Sequence, residues 1–324
     1  MKNVIRFIFA CLIFSSCKKD SPDSDNLPPS PLPIPDTLTT GWTKAGNGIP
    51  SSNIYDIFFT TPMLGCVTTN QGIFKSTDGG ITWASLNFIN TPYNIGGSGN
   101  RYCFVGTDNR IHYTTNGTDF FSNTYTLANP NIQSLVFSDC FFANPTLVYA
   151  CSGRYIYKSF NGGASFDSVY SFPVGTLSFA LSFTSSTDGW AMRSTGLFKT
   201  TDGGLNWSLS SVFDGSATTG SVEFLNTNIG VASDGKKVFK TVDSGINWIE
   251  IFSLPTAEYI DVDIITASEI YISTRKKIYK SLNGGSSFTQ VLSSSQNGIF
   301  EIHFIDSNTG WACGSNGVVY RFKQ

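Results

Sequence analysis

Two histidines and three methionines in 324 residues nearly exclude histidine-based metal chemistry. Charge is scarce too, at 14%. A long helical bundle or coiled coil needs far more Glu, Lys, Leu and Ala. The net charge of −2 leaves no bulk field for nucleic acid, so no nucleic-acid partner is expected. No cysteine spacing matches a CxxC metal site. Beyond Cys11 and Cys17 the cysteines are Cys66, Cys103, Cys140, Cys151 and Cys313, an odd set. At least one thiol of a monomer is then free, and the sequence does not choose a pair for a bridge. What the chain does have is 31 Gly, 27 Phe and 13 Tyr, with 40% apolar residues. That composition excludes disorder over most of the length and favours many short strands joined by tight turns.

Residues 1–17 read MKNVIRFIFACLIFSSC. Lys2 and Arg6 precede an apolar run too short to span a bilayer. Phe14-Ser15-Ser16-Cys17 resembles a bacterial lipobox. The resemblance implies cleavage before Cys17 and lipidation of that cysteine, with Phe in place of the usual Leu. Lys18 follows Cys17, so the Asp associated with inner-membrane retention is absent and outer-membrane attachment is expected. Residues 18–40 carry six prolines among Ser and Asp. No face of this stretch can be buried, so it reads as a tether and not a strand, with a reach on the order of 70 Å.

Residues 41–324 are repetitive. Six segments align without gaps: 75–83, 113–121, 158–166, 199–207, 240–248 and 280–288. Each has Ser or Thr, any residue, then Asp or Asn, and an aromatic residue five positions later. The pairs are Asp78 with Trp83, Asn116 with Phe121, Asn161 with Phe166, Asp202 with Trp207, Asp243 with Trp248, and Asn283 with Phe288. They recur about every 40 residues, which is the signature of a repeat architecture. The Asp or Asn can accept turn N–H groups, Gly supplies positive φ, and the aromatic residue packs beneath the turn. These residues are therefore expected to be structural.

Two further strands precede each motif, giving four strands, A to D, per repeat. A seventh strand C lies at Gly317-Val-Val-Tyr-Arg-Phe with no strand D after it. Trp42 stands before the first strand A, as an orphan strand D would. The expected fold is all-β: a seven-bladed β-propeller of four-stranded antiparallel blades, closed by pairing the N-terminal strand with the last blade. Blade 2 is the least regular, because Ile95-Gly-Gly-Ser-Gly makes a poor strand A.

These motifs resemble the Asp-box (bacterial neuraminidase) repeat superfamily. Gly-Trp-Ala strands combined with the Asp-Gly-Gly turn are most similar to the photosystem II assembly and stability factor group. The resemblance implies the propeller fold and a non-catalytic assembly role, without a photosynthetic function. Sialidases share the motif but need an arginine cluster and usually an Arg-Ile-Pro segment. Here Gly48-Ile49-Pro50 lacks the arginine. Xyloglucan hydrolases of related architecture use two tandem propellers. No catalytic set, cofactor or metal site emerges.

Two groups of residues remain as candidates for binding. Glu223, Asp263 and His303 occupy matching strand-A positions in blades 5, 6 and 7. They would converge on the central channel as solvated groups at its mouth. Arg110, Arg154, Arg193, Lys236, Lys237, Arg275, Lys276 and Lys277 fall in B–C turns. They would make a polar docking surface, mixed with Asp214, Glu258, Asp261 and Glu301, for an acidic protein or a glycan. The expected protein is a monomeric, non-catalytic envelope lipoprotein that binds a macromolecule and meets the membrane only through its lipid. The alternative is a carbohydrate-binding or glycoside-hydrolase/sialidase-like propeller.

Overall fold

The computed structural model describes residues 36–88, 92–106, 110–117, 119–124, 137–173, 178–213, 220–256 and 258–324. Cys17, the leader before it and the tether up to residue 35 lie outside these residues.

Seven antiparallel sheets follow one another around a ring. Blade 1 is Ile54–Phe59, Gly65–Thr69, Gly72–Ser76 and Ala84–Ser85, in order A to D. Blade 2 is Pro92–Ser98, Arg101–Gly106, Arg110–Thr114 and Phe120–Thr124. Blade 3 is Phe137–Phe142, Val148–Ser152, Tyr155–Ser159 and Asp167–Ser171. Blade 4 is Ser178–Phe183, Gly189–Arg193, Gly196–Thr200 and Ser208–Ser211. Blade 5 is Ser221–Phe224, Gly230–Ser233, Lys237–Thr241 and Ile249–Ser253. Blade 6 is Ile260–Ile264, Ile270–Thr274, Lys277–Ser281 and Thr289–Ser293. Blade 7 takes A to C from Ile299–Asp306, Thr309–Gly314 and Val319–Lys323, and its strand D is Trp42–Ala45.

The closure is as the repeat arithmetic required. Trp42 pairs with Phe322 and Ala45 with Val319. The Trp42 ring packs on Phe322 at 5.3 Å and on Phe304 at 6.0 Å between centroids. The next residues continue into blade 1, where the Trp83 N–H donates to the Asn47 carbonyl at 2.8 Å. One N-terminal segment therefore joins the last blade to the first.

Two expectations need correction. Thr37 and Leu38, assigned to the tether, pair with Ser293 and Leu292 as a fifth strand on the outer edge of blade 6. The Asp36 carboxylate anchors this strap, accepting from the Ser295 N–H at 2.9 Å and the Tyr320 hydroxyl at 2.7 Å. Strand A of blade 2 is also well formed, pairing from Pro92 to Ser98. Its glycines are there for proximity: a Cβ on Gly96 would lie 2.5 Å from the Cys140 carbonyl oxygen of blade 3.

The repeated turn works as a hydrogen-bonded lock. In blade 1 the Gly80 N–H donates to Ser76 Oγ at 2.8 Å, and Asp78 accepts from Ile81 and Thr82 N–H at 3.0 and 2.9 Å. The Trp83 indole donates to the Gly80 carbonyl at 2.9 Å. Asn161, Asp202, Asp243 and Asn283 accept a backbone N–H four residues on, at 2.8–2.9 Å. Asn116 accepts the N–H three residues on, from Asp119, at 2.9 Å. Trp83, Phe166 and Trp207 are buried, and Trp248 and Phe288 are partly so. The Phe121 side chain lies outside the described residues. These locks sit at the end of the ring that carries the A–B turns, as the Gly79 N–H to Met63 carbonyl bond shows.

Candidate functional site

Among the described residues no innermost strand pairs through its backbone with that of the next blade. Here side chains cross each seam. Asp56 accepts the Ile95 N–H at 2.8 Å, from blade 1 to blade 2. Asn94 accepts that of Cys140 at 3.0 Å, and Asp139 that of Leu181 at 2.6 Å. Ser182 accepts from Phe224 at 3.0 Å and Glu223 from Ile264 at 2.8 Å. Asp263 accepts from Phe304 at 2.6 Å. His303 Nε2 lies 3.0 Å from the Phe59 carbonyl oxygen and donates to it, which returns the belt to blade 1. Every seam is bridged, and each bridge runs from one blade to the next.

Glu223, Asp263 and His303 do occupy matching positions, as their repeat alignment required. They are not simply solvated groups at a channel mouth. Burial lowers the His303 ring to about 4, so it is neutral at ordinary pH. Burial pushes the Glu223 carboxyl up to about 7, and the Asp263 carboxyl also rises through burial and the nearby Glu223. Glu223 and Asp263 hydrogen-bond each other, which requires a proton between them. Asp261 and Glu301, expected on the docking face, form a second such pair inside the ring. Tyr259 donates its hydroxyl to Glu301, and Ser221 donates to Asp261 at 2.8 Å. Burial favours the protonated form of these carboxyls, and Glu223 and Asp263 each also hold a backbone amide of the next blade.

A second belt runs through the locks. Lys75 Nζ donates to the Gly117 carbonyl of the next blade at 3.0 Å, and Lys158 to that of Gly203 at 2.9 Å. Lys199 reaches Ser244 at 3.2 Å and Lys240 reaches Gly284 at 3.0 Å. Blade 7 has no lock to receive Lys280, which instead pairs with Glu269 at 2.8 Å. Glu269 in turn accepts from Ser307 of blade 7. The lysine that begins five of the six aligned segments is visible in the sequence, with Tyr113 in the sixth, but its reach to the next blade is not.

The B–C turns lie at the opposite end of the ring, and they are unlike one another. Arg193 is wholly buried, with its guanidinium 3.7 Å above the Phe172 ring, so it is no part of a docking surface. Arg154 is half-buried over Tyr155, whose hydroxyl accepts from it at 3.1 Å. Lys237 pairs with Glu250 at 3.0 Å. Asp234 is buried and accepts from the Lys236 and Lys237 N–H groups, which fixes its turn. Arg110 is exposed in blade 2. Lys236 of blade 5 and Arg275, Lys276 and Lys277 of blade 6 are exposed on consecutive turns. Their backbones are held: Leu254 N–H donates to Lys236, Ser294 to Lys276 and Ile299 to Arg275, at 2.7–2.9 Å. Glu258 is half-buried near this patch, and Asp214 lies outside the described residues. Among the described residues no group of three or more His, Cys, Asp or Glu side chains is arranged to hold a metal ion.

A closed seven-bladed propeller with exposed cations on the turns of blades 5 and 6 is the class of molecule that this geometry defines. The sequence matches no protein-family model and no curated protein. Its likeness is to solved propellers. The structure of YCF48 bound to D1 peptide is 17% identical, with 92% of this chain and 100% of that one covered and a TM-score of 0.70. YCF48 from Cyanidioschyzon merolae is 18% identical over 88% of this chain and 99% of that one, with a TM-score of 0.69. Virginiamycin B lyase from Staphylococcus aureus is 15% identical over 89% and 99%, with a TM-score of 0.69. At such identities the likeness is one of fold, and that fold serves a peptide-bound protein and a lyase alike.

Proposed function

We propose that this chain is a non-catalytic binding platform of the bacterial envelope, anchored through lipid on Cys17 at the outer membrane. It takes an acidic protein segment on the turns of blades 5 and 6. The observation that carries this reading is the set of exposed cations at Lys236, Arg275, Lys276 and Lys277, on turns whose backbones are already fixed. Preorganised charge gives a partner orientation and an attractive field at little ordering cost. The inner carboxyls support the non-catalytic side of the reading, since each is engaged by the adjoining blade. That YCF48 was solved with a peptide supports a peptide over a small substrate. The protein is expected to act as a monomer.

Titration with fluorescent Asp/Glu-rich and neutral peptides tests the proposal, with a glycan array in parallel. Acidic peptides should bind in a salt-sensitive manner, and K236E/R275E/K276E should abolish binding without moving Tm. Glycan binding that survives the charge reversals would favour the carbohydrate reading instead.

A further inference from the structure

Five buried cysteines are free thiols in this structure. Cys66 packs with Tyr102 in one apolar cluster, Cys151 contacts Ser138 and Cys313 contacts the Ile54 carbonyl. The remaining two meet each other. Cys103 lies on strand B of blade 2, and Cys140 on strand A of blade 3. Cys140 Sγ donates to the Cys103 carbonyl oxygen at 3.1 Å, which brings the Cys140 thiol against the backbone of Cys103. Both belong to one apolar cluster spanning the seam.

We propose that Cys103 and Cys140 are a disulfide site that staples blade 2 to blade 3. With the Cys140 sulfur already against the Cys103 backbone and both side chains in one cluster, side-chain rotation has to bring the sulfurs to a bond of about 2.0 Å. The bond would lie beside the Asn94–Cys140 belt contact and reinforce the seam between blades 2 and 3. It would close a loop across a sequence separation of 37 residues, which restricts the unfolded chain. Burial pushes the Cys140 thiol up, so thiolate is scarce once the ring has closed, and the bond forms while the blades dock. In the chemistry, one cysteine thiolate attacks a disulfide such as oxidised glutathione and releases one glutathione thiolate. The second cysteine thiolate then attacks the mixed disulfide and releases the other. Two protons leave the protein, and its two electrons reduce the glutathione disulfide to two thiols.

The oxidising surroundings rest on the envelope reading above, but the pairing does not. The full chain, reduced and unfolded in urea with mild detergent, is refolded across reduced and oxidised glutathione mixtures. Free thiols are then alkylated and the chain is cleaved with chymotrypsin. A linked peptide joining Cys103 to Cys140 is expected, with Cys66, Cys151 and Cys313 alkylated. The linked form should unfold at higher urea than the reduced form. Cys140→Ser and, separately, Cys103→Ser should remove both the link and that difference. Alkylation of both Cys103 and Cys140 even in fully oxidised glutathione would overturn the proposal, as would linkage of either to another cysteine in the repeat region. The same mapping on protein extracted from cells is read separately. A link formed in vitro but absent in cells supports the pair and counts against the envelope reading.

Discussion

Lys158 Nζ lies 2.9 Å from the carbonyl oxygen of Gly203, one blade further round the ring. The lysine is buried, and its ammonium also sits 5.1 Å above the Tyr149 ring. A charge-assisted bond at such a site contributes about 1.5–3 kcal/mol. Lys158→Met should lower the free energy of unfolding in urea by about that amount. Lys276→Met, on the exposed patch, should leave it within about 0.5 kcal/mol of the wild type. Equal effects of the two substitutions would remove the lock-to-lock belt from the account of stability.

The lock aromatics are packing groups. Trp207 is buried against Phe183 and Phe172, and its indole donates to the Gly204 carbonyl at 3.1 Å. Trp207→Ala should cost roughly 3–5 kcal/mol, measured by chemical denaturation. A stable variant that has lost peptide binding would instead make the lock face a binding surface.

Truncation separates strap from closure. Removal of residues 1–35 should leave Tm unchanged. Removal of 1–40 also strips the Asp36 anchor and the Thr37–Leu38 pairing, and should lower Tm modestly. Removal of 1–50 takes strand D of blade 7 and the Asn47 contact with Trp83, exposing an unpaired edge. That truncation should melt far lower or aggregate. Identical melting of the last two would show that Trp42–Ala45 does not hold the ring.

The seven-blade count and the closing strand were legible because the locks repeat nearly letter for letter and because the last repeat lacks a strand D. The inner belt was not legible, since its positions hold Asp, Asn, Ser, Glu and His in different blades. What is common to them is a hydrogen bond to the following blade, which no single residue type encodes. Arg193 was misplaced for a related reason. A turn arginine reads the same whether it points to water or folds back over Phe172, and the ring beneath it comes from another part of the repeat.

The belt also predicts an unusual pH dependence. Burial raises the Glu223 and Asp139 carboxyls to about 7, against about 4 in an unfolded chain. The folded protein then holds protons that the unfolded chain releases. The stabilisation from these protons is complete below about pH 4 and is lost as the pH rises through about 7. Tm should therefore fall between pH 5 and pH 8, and Glu223→Gln should flatten that slope. A Tm that rises over this interval would refute the assignment.

Both belts run in one rotational sense, and in the inner one each blade offers a side chain to its successor and receives one from its predecessor. The inner belt therefore marks no blade as first, wherever the chain enters the circle. A circular permutant joining Gln324 to Asp36 through a short linker, and opened between blades 3 and 4, would keep every seam contact described above. Such a molecule could present its termini on a different sector of the rim without disturbing the basic turns of blades 5 and 6.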